Sequence, residues 1–140
     1  MNFDLNALKT PFLISLGAVF GALSRHYIGW LFQRFEGVFP QGTLFINLTG
    51  CFLAGLIVAL LIGTTQPRVE EFRTFFVVGF LGSYTTFSAY ALQSVLLLKS
   101  ENYLQAFIYW FGSCSLGVIS VLLGFLTINF LKDLSNFAKN

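Results

Sequence analysis

The chain is dominated by long apolar runs, which short polar stretches divide into four segments. These segments cover about residues 11–32, 43–62, 74–98 and 103–131. Each is near or above the roughly 20 residues that an α-helix needs to cross the hydrocarbon core of a bilayer. The pattern therefore predicts an all-α membrane protein: one domain over residues 1–140, with four transmembrane helices that place both termini on the same side.

The middle of the third segment differs from the others in composition. Between Gly79 and Tyr90 the chain places two glycines and a cluster of hydroxyl side chains inside a run, Thr74 to Leu98, that has no charged residue. Unpaired backbone groups are costly in hydrocarbon, so such a weakened helix is tolerated only where it faces protein, water or an ion. We therefore expect the third helix to be broken near its middle and to line a permeation path or an ion site.

Composition supports placement in a membrane. The chain is 56% hydrophobic and 10% charged, whereas a soluble domain has about 25% charged residues. The net charge of +2 without a cluster of basic residues predicts no nucleic-acid partner. Cys51 and Cys114 both lie in apolar segments, which supports neither a disulfide framework nor a zinc site. We expect a multi-pass protein of the cell inner (plasma) membrane, surrounded by the lipid bilayer.

Basic residues are distributed unequally between the two sides of the predicted bundle. Five lie on the side of the termini, and two on the other: Lys9, Arg68, Arg73, Lys132 and Lys139 against Arg34 and Lys99. The bias of three favours termini inside the cell. Because four helices in so short a chain enclose little interior, a polar path through them also predicts an oligomer.

The first segment contains one charge within its apolar run. Arg25 follows Gly17, Gly21 and Ala22, and these small residues would let another backbone approach that face closely. Arg25 either faces an ion or only orients the end of the helix, and the sequence leaves both readings open. His26 is the only histidine, and a passive role is favoured because no second ligand stands at metal-binding spacing.

The second segment carries a stripe of small and polar residues. Thr43, Asn47, Gly50 and Ala54 recur at helical spacing on one face. The amide of Asn47 can donate two hydrogen bonds, which suits an anion in a dry setting. The same amide could instead join two helices, as polar side chains in membranes commonly do. The sequence leaves these two roles open.

The fourth segment has a comparable face. Tyr109, Ser113 and Ser120 align at helical spacing, with Gly117 between them. Serine hydroxyls commonly bond the carbonyl one turn back, so it is their alignment that suggests a role. Together with the second segment, this face would supply hydroxyl and amide contacts inside the bundle.

The residues inside the spans exclude several kinds of chemistry. They provide no carboxylate for proton-coupled transport and no visible nucleophile–base pairing, so an enzyme is not expected. What remains is a passive conduit of amides, hydroxyls and aromatic rings. Phe87 and Tyr90, three residues apart, share one helix face, and the positive edge of an aromatic ring can meet an anion.

Three motifs resemble one known family. They are Gly17-x3-Gly21-Ala22-x2-Arg25, Gly42-Thr43-Leu44-x2-Asn47-x2-Gly50 and Gly82-x2-Thr85-Thr86-Phe87-Ser88. Their order, spacing and positions in the helices resemble the Fluc (CrcB) family of small, dual-topology, four-helix fluoride channels, over essentially the whole chain. The resemblance implies an antiparallel dimer with two fluoride pores and a central, structural sodium ion, which lets toxic fluoride leave the cell.

The resemblance also implies roles for individual residues. Asn47 and Phe87 would line the fluoride path, with further path positions at Thr43, Thr86, Ser88, Tyr90, Tyr109 and Ser113. The backbone carbonyls of Gly82 and Thr85 would hold sodium, and Arg25 matches the arginine of the family's first helix. The chain departs from the family at Tyr90, where a second phenylalanine is usual, and at Gly117, where a hydroxyl is expected.

Two alternatives remain beside a fluoride-selective channel. A small multidrug-type exporter has a similar size and number of spans, but this chain lacks the intramembrane carboxylate that it would need. A helical assembly subunit that conducts nothing is the other alternative. A homodimer is expected, and pairing with a paralogue stays open because dual insertion usually accompanies a near-zero charge bias.

Overall fold

The computed structural model describes residues 5–35, 37–64 and 66–138, which are helical over most of their length and contain no strand. The helices are α1 (Leu5–Phe32), α2 (Gln41–Leu61), α3 (Pro67–Arg73), a π-helix (Thr74–Leu81), α4 (Gly82–Tyr84), α5 (Phe87–Lys99) and α6 (Tyr103–Phe137). Four helical stretches are long and apolar enough to cross a membrane; spans 1 to 4 are Leu8–Phe32, Gln41–Leu61, Arg68–Lys99 and Tyr103–Phe137. The prediction of an all-α protein with four membrane-spanning helices is confirmed.

Spans 3 and 4 extend beyond the apolar segments from which they were predicted. Span 3 begins at Arg68 rather than near residue 74, and span 4 continues to Phe137 rather than ending near residue 131. Apolarity marks only the part of a helix inside hydrocarbon, whereas charged residues can continue the helix into the interface. The 35 residues of α6 form a helix about 52 Å long, compared with a hydrocarbon core of about 30 Å.

Spans 1 and 3 pack closely through glycines. A Cβ atom added at Gly17 would overlap the carbonyl oxygen of Phe75, and one at Gly21 would overlap that of Phe80. Gly79 faces them, with its own missing Cβ directed at the backbone of Ile14. The predicted close approach along Gly17 and Gly21 is confirmed, and its partner is span 3.

Spans 2 and 4 form the second close pair. A Cβ atom at Gly55 would overlap the carbonyl oxygen of Val121, and one at Gly124 would overlap that of Phe52. Towards the end of α2, Lys132 Nζ donates a hydrogen bond to the carbonyl oxygen of Ala59 over 2.9 Å. Residues later in α2 contact residues later in α6, so spans 2 and 4 run parallel. The same holds for spans 1 and 3.

Two small buried clusters lie on either side of the centre of span 3. Ile46, Leu81 and Tyr84 form one cluster, and Tyr90, Leu97, Ala106 and Tyr109 form the other. Most of the remaining large apolar side chains are exposed, as expected for helices that face lipid or another protein. The chain segment between the two clusters is Thr85–Thr86, where the polar residues of the spans converge.

Candidate functional site

The backbone leaves the helical conformation at the centre of span 3. Thr85 has φ −77° and ψ 158°, Thr86 has φ −148° and ψ 110°, and both are therefore extended between α4 and α5. The Thr86 hydroxyl oxygen accepts a hydrogen bond from the Ala89 backbone N–H at 3.2 Å and caps α5. The turns before α4 are π-helical, a rare conformation that is frequent at functional sites.

Asn47 on span 2 satisfies the backbone of Thr86. The Thr86 N–H donates to Asn47 Oδ1 at 2.9 Å, and Asn47 Nδ2 donates to the Thr86 carbonyl oxygen at 3.2 Å. Extended backbone in a bilayer is tolerated only when its polar groups find partners within the protein. Asn47 thus joins two spans. Its amide nitrogen carries a second hydrogen, so this contact does not use up its donor capacity.

The carbonyl of Thr85 meets a charged side chain from span 1. Arg25 Nη1 donates to this oxygen over a long 3.4 Å, while the Thr85 hydroxyl donates to the Leu81 carbonyl oxygen at 3.0 Å. Gly50 makes room for this arrangement, because a Cβ atom there would overlap the methyl group of Thr85. Gly82, one turn earlier, is exposed on the surface of the chain. Arg25 therefore faces the extended segment.

A cavity of about 240 Å³ lies on one side of this segment, and we call it the aromatic cavity. It is lined by Asn47, Cys51, Thr85, Thr86, Phe87, Tyr90, Ser113 and Cys114. The Phe87 and Tyr90 rings lie 5.5 Å apart between centroids, and Phe87 is 78% exposed. Ser113 Oγ is buried and has no hydrogen-bond partner within the described residues. A buried hydroxyl of this kind calls for a water molecule or an ion.

A second cavity of about 390 Å³, which we call the polar cavity, opens next to spans 1, 2 and 3. Its lining includes Arg25, His26, Thr43, Thr86, Ser88 and Gln93. Thr86 lines both cavities, so the pair that it forms with Asn47 stands where they adjoin. Among the described residues, no carboxylate lines either cavity. Their chemistry is that of hydrogen-bond donors with one fixed cation, which suits an anion.

The structure separates the predicted path residues into groups. Asn47, Phe87, Tyr90 and Ser113 line the aromatic cavity, Thr43 and Ser88 line the polar cavity, and Thr86 lines both. Tyr109 is not among the residues that line either one. Its side chain is almost wholly buried, and its hydroxyl donates to Gln93 Oε1 at 2.8 Å.

The hydroxyl of Tyr90 is bonded to span 4. It donates to the carbonyl oxygen of Trp110 on span 4 at 3.0 Å, and Cys114 Sγ lies 3.5 Å from it. The ring remains at the cavity wall, beside that of Phe87. The departure from phenylalanine at this position therefore leaves an aromatic surface in the cavity.

Three residues that line the cavities, Gln93, Cys51 and Cys114, were not among the predicted site residues. Cys51 could have been found, since it lies four residues after Asn47 and shares its helix face. Cys114 directly follows Ser113. Gln93 had a similar signal, because it is a polar residue in an apolar run and lies three residues after Tyr90.

Fold and site together define a small multi-pass membrane protein with a polar cavity and an aromatic cavity on the two sides of a non-helical segment. Residues 12–125 match the family described as "CrcB-like protein, Camphor Resistance (CrcB)", and the chain belongs to this family.

Curated relatives share most of the chain. It is 48% identical over 120 residues to the "Fluoride-specific ion channel FluC" of Trichormus variabilis, covering 85% of this chain and 88% of the relative. It is 43% identical over 122 residues to the protein of that name from a Synechococcus species, covering 86% and 92%. The corresponding protein of Helicobacter pylori strain G27 is 38% identical over 122 residues, covering 84% and 92%.

Proposed function

We propose that this protein is a fluoride-selective channel that gives passive export of fluoride across the membrane, and not an enzyme. Relatives of nearly the same length carry the name fluoride-specific ion channel. The observation that carries the proposal is the aromatic cavity, where the amide of Asn47, the ring of Phe87 and the hydroxyl of Ser113, which has no partner among the described residues, meet on a wall whose described residues include no carboxylate. Such a wall can bind an anion, and it has no group for proton-coupled export of a cation.

The requirements of fluoride match these contacts. Fluoride is small and strongly hydrated, so a selective pore must replace its water with close donors, and several weak sites must let it leave again. The second N–H of Asn47, the hydroxyl of Ser113 and the ring edges of Phe87 and Tyr90 are such donors. Each is a modest contact, which favours passage over tight binding.

We infer a path that joins the two cavities. Arg25, Thr43 and Ser88 would attract and partly dehydrate the anion in the polar cavity. The ion would then pass the pair formed by Asn47 and Thr86 into the aromatic cavity. The Arg25 charge lies beside this crossing, where a positive charge lowers the energy of an anion in a medium of low dielectric.

A structural sodium ion at the carbonyls of Gly82 and Thr85 is part of the proposal. The Thr85 carbonyl belongs to an extended residue, and Gly82 is exposed, so both can face outward from this chain. Arg25 already donates to the Thr85 oxygen, but at 3.4 Å, and a carbonyl has a second lone pair. Two carbonyls leave a hard cation incompletely coordinated, which favours a second copy of the chain as the source of the rest.

Fluoride efflux from liposomes that contain only this purified chain tests the function. We expect fluoride to leave rapidly and chloride to be retained, with protein-free liposomes as the control. Proton-dependent uptake of a cationic drug in place of fluoride efflux would favour the small multidrug-type exporter. Intact protein with no flux of either kind would favour a helical assembly subunit.

We further propose an antiparallel homodimer, for which the charge bias of five against two is the opposing observation. The test uses a variant in which Cys51 and Cys114 are replaced by serine and Ser100, in the exposed turn after α5, is replaced by cysteine. Labelling of this cysteine from both sides of intact cells supports dual insertion. Labelling from one side means that the chain needs an oppositely oriented paralogue.

A further inference from the structure

The two cysteines of the chain line the same cavity from different spans. Cys51 lies on α2 and Cys114 on α6, and both are free thiols on the wall of the aromatic cavity. Cys51 is partly buried, and Cys114 is exposed. The chain has no other cysteine. Neither thiol has a part in the proposed passage of fluoride, so that passage does not explain why both line one cavity.

The thiol of Cys51 lies against α6 about one helical turn from the position of Cys114. Cys51 Sγ lies 3.6 Å from the position that a Cβ atom would take at Gly117. Gly117 is three residues after Cys114, and residues at this spacing are neighbours on one helix face, with Cβ atoms about 5–6 Å apart. Because Gly117 has no side chain, nothing from that position separates Cys51 from Cys114.

We propose that Cys51 and Cys114 form a two-coordinate site for a soft metal ion with a filled d shell, of which Hg²⁺ is the probe. Thiolates are the protein ligands that soft metals prefer. Metal–thiolate bonds are about 2.3 Å long in zinc sites, so a linear sulfur–metal–sulfur bridge spans about 4.6 Å, which is comparable to the spacing of neighbouring side chains on one helix face. The described residues hold no cluster of three or more His, Cys, Asp or Glu side chains, so linear coordination is the geometry available.

The charge balance of the complex suits the interior of a membrane protein. Two thiols lose two protons, and the two thiolates neutralise one divalent ion, so the bridged complex carries no net charge. No electron transfer is required. A neutral complex avoids the cost of placing an isolated charge in a medium of low dielectric. The bound ion would occupy the cavity next to Asn47 and Phe87 and obstruct it.

Binding can be measured without any transport assay. Purified chain in detergent is mixed with Hg²⁺, and we expect one ion retained per chain by native mass spectrometry and two protons released per ion. A monothiol competitor should remove the ion from C51S and from C114S at a concentration about tenfold lower than the concentration needed for wild type. In wild type the second thiol acts at high effective concentration and holds the ion. Equal release from wild type and both single variants, or two ions per chain, would overturn the proposal. So would a mercury-linked dimer on a non-reducing gel, since the bridge would then join two chains.

The effect on conduction rests on the proposed function. Hg²⁺ should stop fluoride efflux through wild type. The double variant C51S/C114S should show the same rate of efflux with and without Hg²⁺. Block of the double variant by Hg²⁺ would overturn the assignment of the block to these thiols. If wild type binds one ion between its two cysteines but conducts no fluoride in either condition, the metal site stands and the proposed function fails.

Discussion

Asn47 on span 2 and Thr86 on span 3 are joined by two reciprocal hydrogen bonds, from the Thr86 N–H to Asn47 Oδ1 and from Asn47 Nδ2 to the Thr86 carbonyl oxygen. Thr86 is extended in the middle of a membrane-spanning segment, so its N–H and carbonyl lack the hydrogen-bond partners that a helix would supply. Asn47 supplies both. The pair also stands where the polar and aromatic cavities adjoin. One side chain therefore both holds the backbone in place and lines the proposed path.

Replacing Asn47 with aspartate should impair stability and conduction together. An ionised carboxylate cannot donate to the Thr86 carbonyl, so two acceptors would face each other where 3.2 Å now separates a donor and an acceptor. We expect the free energy of unfolding to fall by about 1–3 kcal/mol and fluoride efflux to be nearly lost, because the new charge repels the anion. Thermal unfolding and liposome efflux measure these effects.

Asn136→Asp is the matched control for that variant. Asn136 is exposed on α6 beyond the apolar segment 103–131, and the same change of charge there should leave stability and efflux close to those of wild type. Normal efflux through Asn47→Asp would remove Asn47 from the path.

Replacing Phe87 with isoleucine should separate conduction from folding. The ring is 78% exposed in this chain, so its loss removes few contacts that stabilise the fold, while it removes the positive ring edge offered to an anion. We expect efflux to be nearly abolished with little change in the unfolding temperature. Phe130→Ile, at a side chain that is 63% exposed on α6, should leave efflux intact. Equal efflux through both variants would contradict the assignment of Phe87.

Replacing Tyr90 with phenylalanine should preserve conduction. The hydroxyl is bonded to the Trp110 carbonyl, so only the ring is offered to the path. Loss of this hydrogen bond should cost about 0.5–1.5 kcal/mol of stability, whereas Tyr103→Phe, at an exposed hydroxyl, should cost less. Loss of efflux in Tyr90→Phe would mean that the hydroxyl itself takes part in conduction.

Replacement by alanine should affect the stability of the protein differently at two glycines of α1. A methyl group at Gly21 would overlap the Phe80 carbonyl, so Gly21→Ala should destabilise the pairing of spans 1 and 3 by about 1–3 kcal/mol. At Gly29 nothing lies near the added atom, so Gly29→Ala should be neutral or should stabilise the helix by up to about 1 kcal/mol. Thermal unfolding of the two variants in one detergent makes the comparison. Equal losses would contradict the close packing at Gly21.

Sodium should stabilise the assembled protein more than potassium does. Backbone carbonyls at Gly82 and Thr85 are hard oxygen ligands for a small monovalent cation. We expect the unfolding temperature to be highest in sodium, lower in potassium and lowest in N-methylglucamine, at equal ionic strength. Equal temperatures in all three salts would argue against a sodium site at these carbonyls.

The sequence by itself determined the number of spans, the absence of membrane-embedded carboxylates and the polar character of span 3. These are local properties, because a helix that crosses hydrocarbon must be long and apolar and must satisfy its own backbone. The glycines at 17 and 21 likewise indicated a close contact, although not which span makes it. The ends of the helices were less predictable, because charged residues such as Arg68 and Glu71 continue a helix that apolarity no longer marks.

Only the tertiary structure decided which polar groups meet. Asn47 and Thr86 are 39 residues apart, and only the two hydrogen bonds between them show that Asn47 links two helices. Tyr109 and Ser113 share a helix face in the sequence, yet Tyr109 is buried against Gln93 while Ser113 reaches the aromatic cavity. The position of a residue along a helix determines the face on which its side chain lies. The group that this side chain contacts depends on how the spans pack, and contacts between residues distant in the chain determine that packing.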